Sequence, residues 1–454
     1  MNNTSSATQR PTRMRWVMFC LAFFTSWMLY VHRYAFALFK PAIKEEFGLD
    51  NVQLGLLDSG FSLFYSWSQF PIGMATDALG VRFILPILII VWSLGLAMHA
   101  WAPSFGMLHG GRIALGIGQS AVLANISRVA RNWFATPIRT TLQGLAGVAA
   151  SRLGGVGASL IVGSLMLGYF GLQWRTAVYI LAGIGIVHGI VFFVWFRNTP
   201  AEHPGVNDAE AKLLGDEKSS TVVEPAKADG EPAPKMSKLQ LLRSLKPRAL
   251  INLVCLNIQS ILSTFADNIF SAWIPLFLFE TYALKYKEMG FNWALPLLGG
   301  ALGGFVGGAL NDWIIRKTGN KRWTRSGVAC FGKGMAAVVL FIAVIWWFDS
   351  PYVFCGFLFF VKLFGDMSLS TSWGVVTDIG GKATASVFAF NNSIAGIGSI
   401  SAPIVYGFLS REFDWKVVFM TAGCAYILCA ISWLFVNCTI PIVDESKETN
   451  ETNV

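Results

Sequence analysis

Charge is what this sequence has least of. Only 13% of its 454 residues are Asp, Glu, Lys or Arg, while 54% are hydrophobic and the mean hydropathy is +0.53. That balance excludes a soluble globular chain. No G-x4-G-K-[ST] loop is present to cradle a nucleotide, so coupling to ATP hydrolysis is not expected. Histidines number five, and no apolar run carries a metal-binding His/Glu/Asp set or a nucleophile spaced from a base; no enzyme, metal site or cofactor is expected. Cysteines number seven, and Cys20, Cys255, Cys330, Cys355, Cys424, Cys429 and Cys438 lie in or beside apolar runs. An odd count without ligand spacing reads as packing, not as a disulfide framework. The apolar runs are continuous and do not alternate, which excludes a transmembrane β-barrel.

What the chain has instead is apolar length. A membrane-crossing helix needs about 20 mostly apolar residues, so the hydrophobic content fills about twelve spans. Apolar runs at 14–40, 52–75, 82–102, 104–130, 140–169 and 174–196 are followed by runs at 249–279, 289–310, 327–348, 351–377, 384–409 and 415–439. The expectation is an all-α membrane protein: a tail at 1–13, a six-helix bundle at 14–200, a polar linker at 201–246, a second bundle at 247–440 and a tail at 441–454.

The cations fall mainly between runs. Arg10, Arg13, Arg15, Arg128, Arg131, Arg139, Arg316, Lys317, Lys321, Arg322 and Arg325 share one side if every run crosses the bilayer, and Glu45, Glu46, Asp50, Glu280 and Glu288 dilute the other. This bias places both termini and the linker in the cytoplasm, with the chain in the inner (plasma) membrane. The net charge of +9 therefore reports topology and not a nucleic-acid partner. The expected partners are the lipid bilayer, a small organic anion and a coupling proton, sodium ion or counter-anion, bound by a monomer.

The halves resemble each other. Gly73, Asp77, Gly80 and Arg82 follow the second run; Gly308, Asp312 and Arg316 follow the eighth, 235 residues on from Asp77 to Asp312. Trp174-Arg175 and Trp415-Lys416 open the sixth and twelfth runs, 241 residues apart. Two landmarks with nearly the same offset indicate two parallel six-helix repeats, which places a solute site between the halves near the bilayer midplane.

The stretch Gly73-Met-Ala-Thr-Asp77-Ala-Leu-Gly80-Val-Arg82 resembles the loop motif between helices two and three of the major facilitator superfamily. Arg131-Asn-Trp133-Phe134, Phe196-Arg-Asn-Thr-Pro200, Ser372-Trp373 with Asp378-Ile-Gly-Gly-Lys382, and Asn392-Ser393 resemble its anion:cation symporter family. That family includes hexuronate, aldonate, glucarate and phthalate permeases and sialin. The resemblance implies the twelve-helix major facilitator fold, with Arg33 holding a substrate anion and Tyr65, Ser372, Trp373 and Asn392 lining the site. It also implies that Gly73, Asp77, Gly80, Arg82, Asp312, Arg316 and Asp378 act as gating latches. Two family positions differ: His32 stands where an acid precedes the helix-one arginine, and Gln119 stands where helix four carries a glutamate.

A charge within hydrocarbon costs at least ~2.5 kcal/mol, so each one is a functional candidate. Arg33, Arg112 and Arg152 offer guanidinium groups suited to bidentate anion capture. Arg112 is equally readable as a structural partner of Asp58, and Arg152 as a salt-bridge or snorkelling residue. Lys362 and Asp366, four apart, share a helix face, either as a self-neutralising pair or with Lys362 reaching the cavity. Asp267 faces either the cavity or the surface, and Lys333 snorkels inward. An imidazole titrates near neutral pH, so His32 reads either as the carrier of the coupling proton or as a buried histidine satisfied by one hydrogen bond; it, Asp58, Arg112 and Gln119 are the coupling candidates. Asp58 is expected to replace the missing acid by pairing with Arg33. The functional expectation is proton-coupled symport of a sugar acid; exchange of organic anions or phosphate, and a non-transporting sensor, stand as alternatives.

Overall fold

A computed structural model describes residues 10–134, 136–212, 247–380 and 384–440, and among these all extended regular structure is helical. Twelve long helices follow in order: α1 (Met14–Phe47), α2 (Asn51–Leu79), α3 (Val81–Trp101), α4 (Phe105–Gln119, continuing as Val122–Trp133), α5 (from Thr136 to Tyr169), α6 (Trp174–Trp195), α7 (Pro247–Ala272), α8 (Tyr286–Thr318), α9 (Lys321–Trp346), α10 (Pro351–Gly380), α11 (Thr384–Glu412) and α12 (Trp415–Phe435). Eleven described spans are long and apolar enough to cross a bilayer. The twelfth helix, α2, has the length at 29 residues but carries Gln53, Asp58, Ser59, Ser62 and Gln69 among its apolar residues.

Local chemistry sets the boundaries. Gly48, Gly80 and Gly319 take positive φ at the ends of α1, α2 and α8, where a side chain would be strained. Asn320 and Asp414 cap α9 and α12 by accepting from Trp323 N–H (3.1 Å) and Val417 N–H (2.9 Å). Inside α5, Leu145–Ala149 and Ala158–Tyr169 are wound as π-helix around the α-helical Ala150–Gly157. Such widened turns frequently mark functional positions.

The chain forms two compact units. One comprises the described residues of Met1–Arg33, Phe64–Gly154 and Trp174–Pro234; the other comprises those of Tyr34–Leu63, Gly155–Gln173 and Lys235–Val454. In the first, α3 packs on α4 and α6 through close approaches at Gly95, Gly111, Gly118 and Gly185. In the second, Gly299, Gly303 and Gly307 of α8 lie against the carbonyls of Phe359, Leu363 and Met367 of α10. That register, one contact per helical turn, is how helices pack closely inside a bilayer, where small residues replace hydrophobic drive. The second unit also holds the far ends of α1 and α2 and the last part of α5.

Of the polar stretch read as linker and tails, 213–246, 1–9 and 441–454 lie outside the described residues. The described part, 200–212, is folded back. Glu210, fully buried, accepts from Met14 N–H (3.0 Å), Arg15 N–H (3.1 Å) and the Thr12 hydroxyl (2.5 Å). A carboxylate at the first turn of α1 satisfies donors that the helix leaves open and complements its dipole.

Candidate functional site

Within the first unit, Arg33 sits on α1 with its guanidinium over the Tyr65 ring (4.4 Å to the centroid) and near the Tyr30 ring (5.0 Å). Its Nε donates to Gln119 Oε1 at 3.0 Å, while Gln119 Nε2 donates to the Leu29 carbonyl at 3.2 Å. Gln119 ends the first segment of α4 and is buried. An amide oxygen orients the guanidinium without cancelling its charge, which a glutamate there would do. The arrangement presents a planar cation on an aromatic face, suited to a carboxylate or sulfonate. Of the residues singled out from sequence, the structure thus brings Arg33, Tyr65 and Gln119 together. Arg112 lies two turns before Gln119 on α4, buried. Arg152 stands half-buried on the short α-helical stretch of α5 between its two π-helical segments.

His32 belongs to a different surface of α1. Trp92 Nε1 donates to its Nδ1 (3.2 Å), and a Cβ at Gly185 would meet His32 and Ser93. The Thr25 hydroxyl and His188 Nε2 are 2.8 Å apart in the same interface. His32 is therefore packed between α1, α3 and α6, its imidazole satisfied by an indole.

In the second unit, Asp58 has a cation that the sequence reading did not assign to it. Lys40 Nζ lies 2.5 Å from Asp58 Oδ2, donates to the Ala272 carbonyl at the end of α7 (2.8 Å), and sits 3.9 Å from the Trp273 ring centroid. From sequence, Lys40 marks the end of the first span; the helix instead continues to Phe47 with Lys40 fully buried. Three partners make that burial affordable for an ammonium ion. Beyond it, Lys44 pairs with Glu280 (2.5 Å) and Asn51 (2.7 Å), Asn51 donates to Ser410 (3.0 Å), and Arg411 pairs with Asp50 (2.9 Å). Ser59 donates to the Ile400 carbonyl (2.7 Å), and Gly55 and Gly407 bring α2 and α11 backbone to backbone.

The C-terminal helices carry two polar groups. Gln259 Nε2 donates to Ser260 (2.7 Å) and reaches Ser372 (3.5 Å), and Ser260 donates to Asn391 Oδ1 (3.0 Å). Sequence reasoning selected Ser372 but missed Gln259, Ser260 and Asn391; the signal for Gln259 and Ser260 was a run of polar residues at helical spacing in α7. Asn392, the neighbour selected instead, is exposed. Trp373 is half-exposed and meets Phe388 edge-on at 5.8 Å. The second group joins four charges: Lys362 lies 2.6 Å from both Asp267 and Asp366, and Lys333 lies 3.6 Å from Asp267. The Lys362–Asp366 bridge read from spacing is present, and Asp267 and Lys333 are bound into it.

The latch residues are distributed. Asp77 pairs with Arg128 (2.6 Å), and Asp378 with Arg325 (2.7 Å); both arginines entered the sequence reading only as topology charges. Gly80 backs onto Asn198, whose Oδ1 accepts from Arg82 N–H (3.0 Å). The Arg82 guanidinium lies near the rings of Phe83 and Phe193. Asp312 and Arg316 are exposed, linked by an Arg316 Nε hydrogen bond to the Asp312 carbonyl (3.2 Å), and Gly73 has open space where a Cβ would stand. Among the described residues, no group of three or more His, Cys, Asp or Glu is placed to hold a metal ion.

Comparison with known proteins agrees with this architecture. A probable L-galactonate transporter of Escherichia coli is 27% identical over 97% of this chain and 93% of its own length. A probable sulfoacetate transporter of Cupriavidus necator is 26% identical, covering 95% of each. The hexuronate transporter of Bacillus subtilis is 25% identical, over 93% of this chain and 94% of its own. Among solved structures, a bacterial homologue of the lysosomal transporter Spinster aligns over 93% of this chain and 95% of its own, at a TM-score of 0.70 and 16% identity. A D-xylose-proton symporter aligns over 93% and 98% at a TM-score of 0.68 and 14% identity. The profile of the Major Facilitator Superfamily matches residues 17–361. With twelve long helices among its described residues and that match over most of its length, this multi-pass membrane protein is a member of the Major Facilitator Superfamily, a family of transporters and not of enzymes.

Proposed function

We propose that this protein is a secondary active transporter that moves a sugar acid together with a proton by alternating access. The observation that carries the reading is Arg33, a membrane-embedded guanidinium laid on Tyr65 and oriented by the neutral Gln119. Such a cation is expensive in hydrocarbon, which makes it a functional candidate. Arg33 takes the carboxylate, with Arg112 and Arg152 as further cations, and Ser372, Trp373 and Asn392 take the hydroxyl end. The repeat seen in the sequence supports two six-helix bundles, 14–200 and 247–440, moving about that solute. The Lys and Arg bias supports cytoplasmic termini in the inner membrane. On that orientation the Lys44–Glu280 and Asp50–Arg411 pairs close the external side, and Asp77–Arg128 and Arg325–Asp378 serve as cytoplasmic latches.

Proton coupling is assigned to Asp58, an intramembrane carboxylate whose cation is Lys40, in preference to His32, which packs against Trp92 between helices. Gln119 favours a second reading, exchange of one anion for another, because an amide at that position releases no proton. Uptake of labelled hexuronate and galactonate into proteoliposomes separates the two. Accumulation driven by an inward proton gradient, abolished in Arg33→Ala and uncoupled in Asp58→Asn, supports symport. Uptake that requires only a preloaded anion establishes exchange, and absence of uptake of any organic acid rejects the transporter reading in favour of a sensor.

A further inference from the structure

The four-charge cluster on α7, α9 and α10 lies at mid-depth: Lys333 is at the midpoint of α9, and Lys362 is in the central part of α10. Three of its members are sealed off, with side chains 1% (Lys333), 5% (Lys362) and 4% (Asp366) exposed, whereas Asp267 is 27% exposed. Asp267 also belongs to a polar stripe on α7 in which Gln259, Ser260, Ser263, Thr264, Asp267 and Asn268 recur at helical spacing. A carboxylate left partly exposed within a membrane-spanning helix is placed towards an aqueous cavity and not towards lipid, because a charge against hydrocarbon is costly.

The donors around Asp267 are arranged unevenly. Its Oδ1 accepts from Lys362 (2.6 Å) and from the Tyr426 hydroxyl (2.7 Å). Its Oδ2 has longer partners, the Ser263 hydroxyl at 3.2 Å and Lys333 at 3.6 Å. Lys362 keeps Asp366 as a second partner, and Lys333 keeps Ser263 Oγ (2.8 Å) and the Tyr426 ring (4.9 Å to the centroid). One oxygen is thus clamped from behind, and acceptor capacity remains on the other.

We infer that Asp267 is a specificity-determining residue that accepts hydrogen bonds from the hydroxyls of a polyhydroxylated acid, with Lys362, Lys333 and Tyr426 as positioning residues that fix its carboxylate. The inference rests on the sugar-acid reading above and narrows it: an acid with donors along its chain is bound more tightly than one of equal charge without them. A site built to bond hydroxyls rejects an analogue that lacks them because its own acceptor is left unpaired.

The test is calorimetric binding of galactonate and of butyrate, two monoanions, to the purified full chain and to Asp267→Asn. Expected is a fall of at least tenfold in the galactonate-to-butyrate affinity ratio, with butyrate affinity changed less than twofold. Equal loss for both acids, or an unchanged ratio, overturns the inference and leaves a structural cluster. If Asp267→Asn does not fold, Asp267→Glu keeps the charge but moves the carboxylate by one methylene; a shifted ratio then supports the inference and an unshifted one overturns it. Wild-type protein that binds neither acid sinks the sugar-acid reading as well, whereas binding of both with no preference sinks this inference alone.

Discussion

At the scale of single residues, the site turns on the difference between an amide and a carboxylate. Gln119 orients Arg33 without neutralising it. Gln119→Glu is therefore expected to weaken substrate binding as pH rises through the new carboxyl's pKa, because the ionised form competes with the substrate anion for Arg33; a binding curve from pH 4 to 8 that stayed as flat as the wild type would contradict this. Arg33→Lys keeps the charge but loses the fork and much of the stacking on Tyr65. A charged hydrogen bond is worth about 1.5–3 kcal/mol, so substrate affinity should fall by roughly 10- to 100-fold in a binding titration. Arg33 stood out in the sequence as a charge within an apolar run, and Gln119 as a departure from the pattern of the family that the flanking motifs resemble. Lys40 was not: it sits near the end of a run, where a lysine normally reaches water, and only the tertiary fold brings it Asp58, Ala272 and Trp273. Asp267 was legible as a question only, since its partners come from α9, α10 and α12.

At the scale of elements, glycine positions matter more than glycine number. Gly303 faces the Leu363 carbonyl, whereas Gly304 beside it meets nothing within 4 Å. Gly303→Ala should push α8 from α10 and destabilise by about 1–3 kcal/mol, and Gly304→Ala should be near neutral; melting temperatures of the two variants in detergent give the comparison. Which member of each glycine pair in α8 touches a neighbour depends on helix rotation. Eleven of the twelve apolar runs correspond to spans long and apolar enough to cross, because length and hydropathy are local. The docking of 200–212 onto α1 was invisible, because Glu210 meets donors nearly two hundred residues away in sequence.

At the scale of the whole molecule, the parts of α1, α2 and α5 that pack with the C-terminal helices show where the two sequence halves are fastened in this conformation. Slight burial pushes the Asp50 carboxyl up, but the Gln53 backbone N–H and the Arg411 guanidinium outweigh it and hold the carboxyl below the usual aspartate range. A depressed carboxyl contributes above its unfolded pKa and loses that contribution as pH falls through the lower folded value. The Asp50–Arg411 fastening should therefore be constant from pH 5 to 8, and Asp50→Asn should raise the labelling rate of a cysteine placed at Ser59 at every pH in that range. A labelling rate equal to that of the Ser59→Cys parent would show that the pair fastens nothing. Its side chains are 42% and 39% exposed, which makes it weak and open to screening. The ionic strength of the medium bathing that face is thus an input to the protein: brine loosens the fastening and fresh water tightens it, so the same chain would turn over at different speeds in the two.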